Sequence, residues 1–118
     1  MLPETLKYLF DVRQACRLVA QFTHAKTAAD FRNDLLLQSA VERQFITIGE
    51  ALQQALRIQP ELANSISESR RIVNFRNVIV HGYAVVVPDT VWGVVESDLH
   101  KLQEEVAKLL VDVVEEPN

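Results

Sequence analysis

Ser69-Arg70-Arg71-Ile72-Val73-Asn74-Phe75-Arg76-Asn77-Val78-Ile79-Val80-His81-Gly82-Tyr83 is the stretch from which the rest of the chain can be read. Its apolar spacing predicts a helix ending near Gly82, a residue suited to the left-handed position just past a helix. The preceding Ser67-Glu68-Ser69 offers N-cap candidates. At about 100° per residue, Arg70, Asn74, Asn77 and His81 fall in one polar stripe. Arg76 falls roughly 140° from His81, among Ile72, Ile79 and Tyr83. A fixed charge on an apolar side is costly unless paired. Glu42 and Glu50 are candidate partners, and a second subunit whose helix completes a shared pocket is another solution.

Working outward, apolar residues three and four apart recur along most of the chain, and only three glycines and four prolines interrupt it. The expected fold is therefore all-α, an up-down four-helix bundle with a short extra helical turn. The first helix is expected from about Pro3 to His24, with Leu6, Leu9, Val12, Cys16 and Val19 on one stripe. A short turn fits Thr27 to Asn33. A long helix from about Asp34 to Arg57 buries Leu37, Val41, Ile48, Leu52 and Ala55, and Pro60 closes it. Ala84 to Val87 reads as a loop into one final helix carrying Val91, Val95, Leu99, Leu102, Val106, Leu109 and Val113.

The 118 residues suit one domain with a core of its own. No apolar run approaches the ~20 residues of a membrane span, and the first residues lack the pattern of a secretion signal, so a cytoplasmic protein is expected. Cys16 stands alone, which excludes an internal disulfide and reads as a small core residue. His24, His81 and His100 show none of the close spacings of a zinc site, so neither a metal nor another cofactor is expected. The net charge of −4 argues against a general nucleic-acid binder. Its distribution is uneven: four arginines face two glutamates from Arg57 to Tyr83, and the acidic excess lies beyond Glu96.

The run R-x4-H-x-Y gathers a cation, a base and a phenol near one helix end, a set suited to phosphate chemistry. His81 can shuttle protons near neutrality. Arg76 can hold non-bridging phosphate oxygens with its planar fork as negative charge builds. Asn77 can orient His81 or donate to phosphate, and Tyr83 follows the Gly82 bend, where its hydroxyl can face a groove. An isolated R-x4-H pair would more often be structural, with Arg76 in a salt bridge and His81 capping carbonyls. On the long helix, Arg43, Ile46, Glu50 and Gln53 share a mixed side opposite the apolar stripe. Gly49 costs a helix ~1 kcal/mol relative to alanine, which close approach of another helix would justify.

Phe75-Arg76-Asn77-Val78-Ile79-Val80-His81-Gly82-Tyr83 resembles the signature of HepT ribonuclease toxins of the HEPN superfamily. Two further segments resemble the same family: Ala40 to Ala51, a long-helix pattern ending in isoleucine, glycine, glutamate and alanine, and Asp89 to Leu99, where a tryptophan precedes an acidic Ser-Asp-Leu turn. Three motifs in order cover most of residues 35 to 105.

The resemblance implies a HEPN-like homodimer whose two motif copies meet at a cleft. It implies a metal-independent endoribonuclease with Arg76 and His81 as the catalytic pair; from the residues themselves, Asn77, Arg43, Glu50 and Arg70 are expected to bind RNA phosphate or support the site. It also implies a toxin–antitoxin pairing, in which an MntA-like nucleotidyltransferase antitoxin transfers AMP to the Tyr83 hydroxyl. Added phosphates would fill a phosphate-binding cleft and repel RNA. The competing expectation is a non-catalytic HEPN-like helical module that partners a nucleotidyltransferase, a reading with which the acidic balance is compatible.

Overall fold

The computed structural model describes residues 1–115 and, of these, the side chains of all but Tyr83 and residues 112–115. All regular structure among the described residues is helical, as the apolar spacing predicts. Helix α1 spans Pro3–Thr23, with proline in its first turn where no intrahelical N–H is needed. Its buried stripe is Leu9, Val12, Cys16 and Val19, and burial pushes the Cys16 thiol up to about 12. Leu6, placed on the same stripe, is half-buried at its edge.

The short α2, Ala28–Arg32, is held by a reciprocal cap. The Thr27 hydroxyl accepts from the Asp30 N–H at 3.1 Å, and the Asp30 carboxylate accepts from the Thr27 N–H at 2.9 Å. These bonds lower the Asp30 pKa, backbone donation from Thr27 contributing most. Phe31 is thereby delivered into the core against Trp92, with ring centroids 5.4 Å apart.

The central helix α3, Leu35–Ile58, starts where Asp34 accepts from the Leu37 N–H at 3.0 Å. It buries Leu37, Val41, Phe45, Ile48, Leu52 and Ala55, spaced by threes and fours. Pro60 stops it and opens a 3₁₀ turn over Pro60–Asn64. Helix α4, Ser69–His81, runs back along α3 and buries Ile72, Phe75 and Ile79. Phe45 and Phe75 meet edge to face at 5.3 Å, tying the two helices together.

Neither end of α4 is built as the sequence suggests. Glu68 occupies the N-cap position with no side-chain hydrogen bond. Ser67 is drawn elsewhere: its N–H and hydroxyl both donate to the Glu105 carboxylate, at 3.1–3.3 Å. Gly82 has φ −113°, so it is not left-handed, and its N–H closes the last turn on the Val78 carbonyl at 2.7 Å. The chain then continues into a 3₁₀ turn over Tyr83–Val85.

The expected final helix is two. Helix α5 spans Pro88–Ser97 and α6 spans Leu99–Glu115. Asp98 stands at the break, buried, with Oδ2 3.2 Å from Nε of Arg71 on α4. The Ser97 hydroxyl bonds back to the Gly93 carbonyl at 2.6 Å, a local bond that competes with helical continuation. The break shifts the phase of the buried stripe, so that Val94 and Leu110 are buried where Val95 and Leu109 are half-buried. The Val113 side chain lies outside the described residues. Helices α1 and α3 form the central antiparallel pair, α4 packs on α3, and α6 packs on α1. The Arg71–Asp98 and Ser67–Glu105 contacts join α4 and its entry to the α5–α6 layer. No described helix is long and apolar enough to cross a membrane.

Candidate active site

The site begins with Gly49, buried on α3 where α4 crosses it. A Cβ at this position would overlap Cβ of Arg76 and stand 2.6 Å from its Cγ. Only glycine lets the α4 backbone come this close, with Cα of Arg76 3.6 Å from that virtual atom. The arginine stem therefore lies along the α3 backbone, and its guanidinium emerges beside the next α3 residue, Glu50.

There Nη2 of Arg76 donates to Oε1 of Glu50 at 2.8 Å, and Nη1 donates to Oδ1 of Asn77 at 2.7 Å. Of the two carboxylates open to Arg76 in the sequence, Glu50 is the partner. Glu42 is half-buried, and desolvation raises its pKa. The Arg76 side chain keeps 19% of its surface exposed, against 54% for Glu50. Its Nε is fully buried without an acceptor. The guanidinium is thus fixed at two nitrogens, with about a fifth of the side chain reaching solvent, on a stem that costs little further entropy to hold.

His81 closes α4 and is exposed. Five residues after Arg76, it points to a different side of the helix, as a plain wheel requires. Several valines close to it in sequence are exposed: Val78 at 44%, Val80 at 38%, Val85 at 73% and Val87 at 51%. Exposed apolar residues gathered at one tip mark a contact surface more often than a solvated one.

Arg76, Asn77 and Glu50 are brought together. His81, Arg70 and Arg43 are not joined to them by any hydrogen bond or ion pair among the described residues. Arg70 and Arg43 are both exposed, Arg70 near the start of α4 and Arg43 two turns before Glu50 on α3. The Tyr83 side chain lies outside the described residues, while its backbone opens the turn that follows His81. Among the described residues, no three His, Cys, Asp or Glu side chains converge as metal ligands would. Sequence reasoning missed the Arg71–Asp98 pair, which ties the motif helix to the α5–α6 corner. The nearest signal was the acidic Ser-Asp-Leu turn, whose partner no spacing rule could name.

A sequence model of the family described as "Ribonuclease HepT-like" matches residues 12–109, which include every residue of the site. The chain belongs to this HepT-like ribonuclease family. The all-helical fold agrees with the HEPN-like architecture of the family. Three curated relatives carry ribonuclease names, two of them at 30% identity. "Gamma-glutamylcyclotransferase and putative RNase MJ0434" of Methanocaldococcus jannaschii is 30% identical over 111 residues, covering 94% of this chain and 50% of the relative. This chain therefore spans about half of that relative's length. "Probable ribonuclease HepT" of Thermococcus cleftensis is 30% identical over 106 residues, covering 86% of this chain and 92% of the relative. No solved structure matches the chain.

Proposed function

We propose that this chain is a metal-independent endoribonuclease, the toxic component of a toxin–antitoxin pair, working as a homodimer with Arg76 and His81 as its catalytic residues. The observation that carries the proposal is the pinned, partly exposed guanidinium of Arg76 on the same helix as an exposed His81. Within one copy the two groups face different sides. A second copy docked over the valine-rich tip of α4 brings the His81 of one protomer toward the Arg76 of the other. Val78, Val80, Val85 and Val87 supply the apolar surface for that contact.

The chemistry is transesterification. His81 takes the proton of a ribose 2′-hydroxyl as its oxygen bonds to the adjacent phosphorus. The bond to O5′ breaks, that oxygen takes up a proton from the imidazolium so formed, directly or through water, and the products are a 2′,3′-cyclic phosphate and a 5′-hydroxyl end. Arg76 stabilises the charge that builds on the non-bridging oxygens, with Glu50 and Asn77 fixing its fork. Arg43 and Arg70 guide the flanking phosphates.

Tyr83 follows His81 by two residues, so AMP transferred to its hydroxyl by an MntA-like nucleotidyltransferase would place new phosphate charge beside the cleft and repel RNA. The acidic overall balance is compatible with the competing reading, a non-catalytic helical partner of such an enzyme. Purified protein unmodified at Tyr83, assayed on RNA with chelator present and compared with His81→Ala, separates the two. Cleavage by the first and not the second supports the nuclease. Equal cleavage by both, or none by either, sinks it.

A further inference from the structure

A cleft of about 260 Å³ opens between the second half of α3 and the first half of α4, lined by Gln53, Leu56, Pro60, Ser69, Arg70 and Val73. It lies beside the proposed catalytic groups on the same pair of helices. Gln53 follows Glu50 by one turn of α3, and Arg70 precedes Arg76 by six residues, roughly 9 Å along α4. Arg70 also shares the polar stripe of Asn77 and His81.

The charge around the molecule decides which way an RNA strand leaves the catalytic centre. Four other clefts each carry a carboxylate in the wall, Asp11 and Glu50, Glu4, Asp34, and Glu105, two of them with a lysine beside it, Lys7 and Lys108. The α3–α4 cleft carries a guanidinium and no carboxylate. The Asp11 and Glu50 carboxylates on the α1 side are each paired with a cation, Lys7 and Arg76, whereas Arg70 makes no ion pair among the described residues, so a polyanion held at Arg76 is drawn along α4 toward Arg70.

The lining suits more than a phosphate. Leu56, Pro60 and Val73 present aliphatic walls, while the Gln53 amide offers both a donor and an acceptor at the edge. Aliphatic walls can cover the face of an unstacked base while a side-chain amide reads its edge, the part of a base that hydrogen bonds recognise. We infer that this cleft is a subsite for a nucleobase of the RNA strand flanking the cleaved linkage, with Arg70 holding the phosphate of the same nucleotide. The inference rests on the nuclease reading above and adds to it a source of sequence preference.

Nuclear magnetic resonance of the full chain, titrated separately with the four ribonucleoside 5′-monophosphates, tests the site without requiring cleavage. At least one nucleotide is expected to shift the Val73 methyl and Gln53 side-chain amide signals. Arg70→Ala should weaken that nucleotide about tenfold and leave the parent nucleoside nearly unaffected. Val73→Phe should fill the cleft and abolish the shifts. Gln53→Ala, at a half-buried position, supplies a second variant should the first fail to fold by circular dichroism.

No shift at these residues with any of the four, or the same shifts from inorganic phosphate alone, would overturn the subsite. Cleavage of a six-nucleotide RNA is read separately, with KM expected to rise about tenfold in Gln53→Ala. Nucleotide shifts without any cleavage by the wild type would support the cleft and remove the nuclease reading. Cleavage with KM unmoved in both variants would remove the subsite and leave the nuclease.

Discussion

The stem of Arg76 lies directly on the backbone of Gly49, so that a single methyl group added to α3 would overlap it. Two residues that the sequence separates by 27 positions thus depend on one another: the glycine exists for the arginine to pass, and the arginine is aimed by that passage.

Gly49→Ala is therefore expected to destabilise the fold by about 1–3 kcal/mol, because overpacking at a helix crossing outweighs the ~1 kcal/mol that alanine gains in helix propensity. Urea denaturation of the two proteins measures the difference. An alanine variant as stable as the wild type would mean that α3 and α4 separate at low cost and that the crossing does not fix Arg76.

Arg76→Ala is expected to lower RNA cleavage by at least about 100-fold, the scale of losing one charge-stabilising group. It should cost only about 1 kcal/mol of stability, because Glu50, half exposed, is rehydrated when its partner goes. Arg76→Lys should not restore activity, since one ammonium cannot bond both Glu50 and Asn77 and still face a phosphate. Light scattering and circular dichroism complete the measurement. Loss of the fold, or of the proposed dimer, in Arg76→Ala would assign this residue to structure.

Stability near the α2 cap should depend on pH through Asp30. Its folded pKa is lowered, chiefly by the Thr27 N–H and then by the Thr27 hydroxyl. A depressed carboxylate contributes stability that is present above its unfolded pKa of about 3.9 and lost as pH falls through the folded value. Asp30→Asn should therefore flatten the fall in melting temperature below about pH 4 relative to the wild type. Identical acid profiles for both proteins would show that the capping box contributes nothing to acid sensitivity.

Ala25, between α1 and α2, has φ 58° and is the residue with positive φ among the described non-glycine residues. The left-handed conformation costs an L-residue with a Cβ roughly 1–2 kcal/mol. Ala25→Gly should relieve much of it and, after the larger entropy of an unfolded glycine, raise stability by about 0.5 kcal/mol or more. A lower melting temperature in this variant would contradict the argument.

The helical class, the three long early segments and the grouping of Arg43, Ile46, Glu50 and Gln53 were legible because a helix prints its buried face at a fixed period. The same period showed that Arg76 and His81 diverge within one copy. It narrowed the partner of Arg76 to two carboxylates, but whether Glu42 or Glu50 met it depended on the angle at which α4 crosses α3. The helix termini were less legible. Ser67 has the chemistry of a cap, yet Glu105, 38 residues away, takes its donors, and Gly82 closes its turn with negative φ because Tyr83–Val85 curls onward.

The residues by themselves determined which surfaces are apolar, where charge is available and which side chains can exchange protons or bind phosphate, since these are properties of short periodic segments. Tertiary structure alone decided where Asp98 breaks the last helical stretch, which acid anchors Arg76, and that a carboxylate-free cleft opens beside Arg70. Each of those is a contact between segments distant in sequence, set by how whole helices pack, and no local period encodes it.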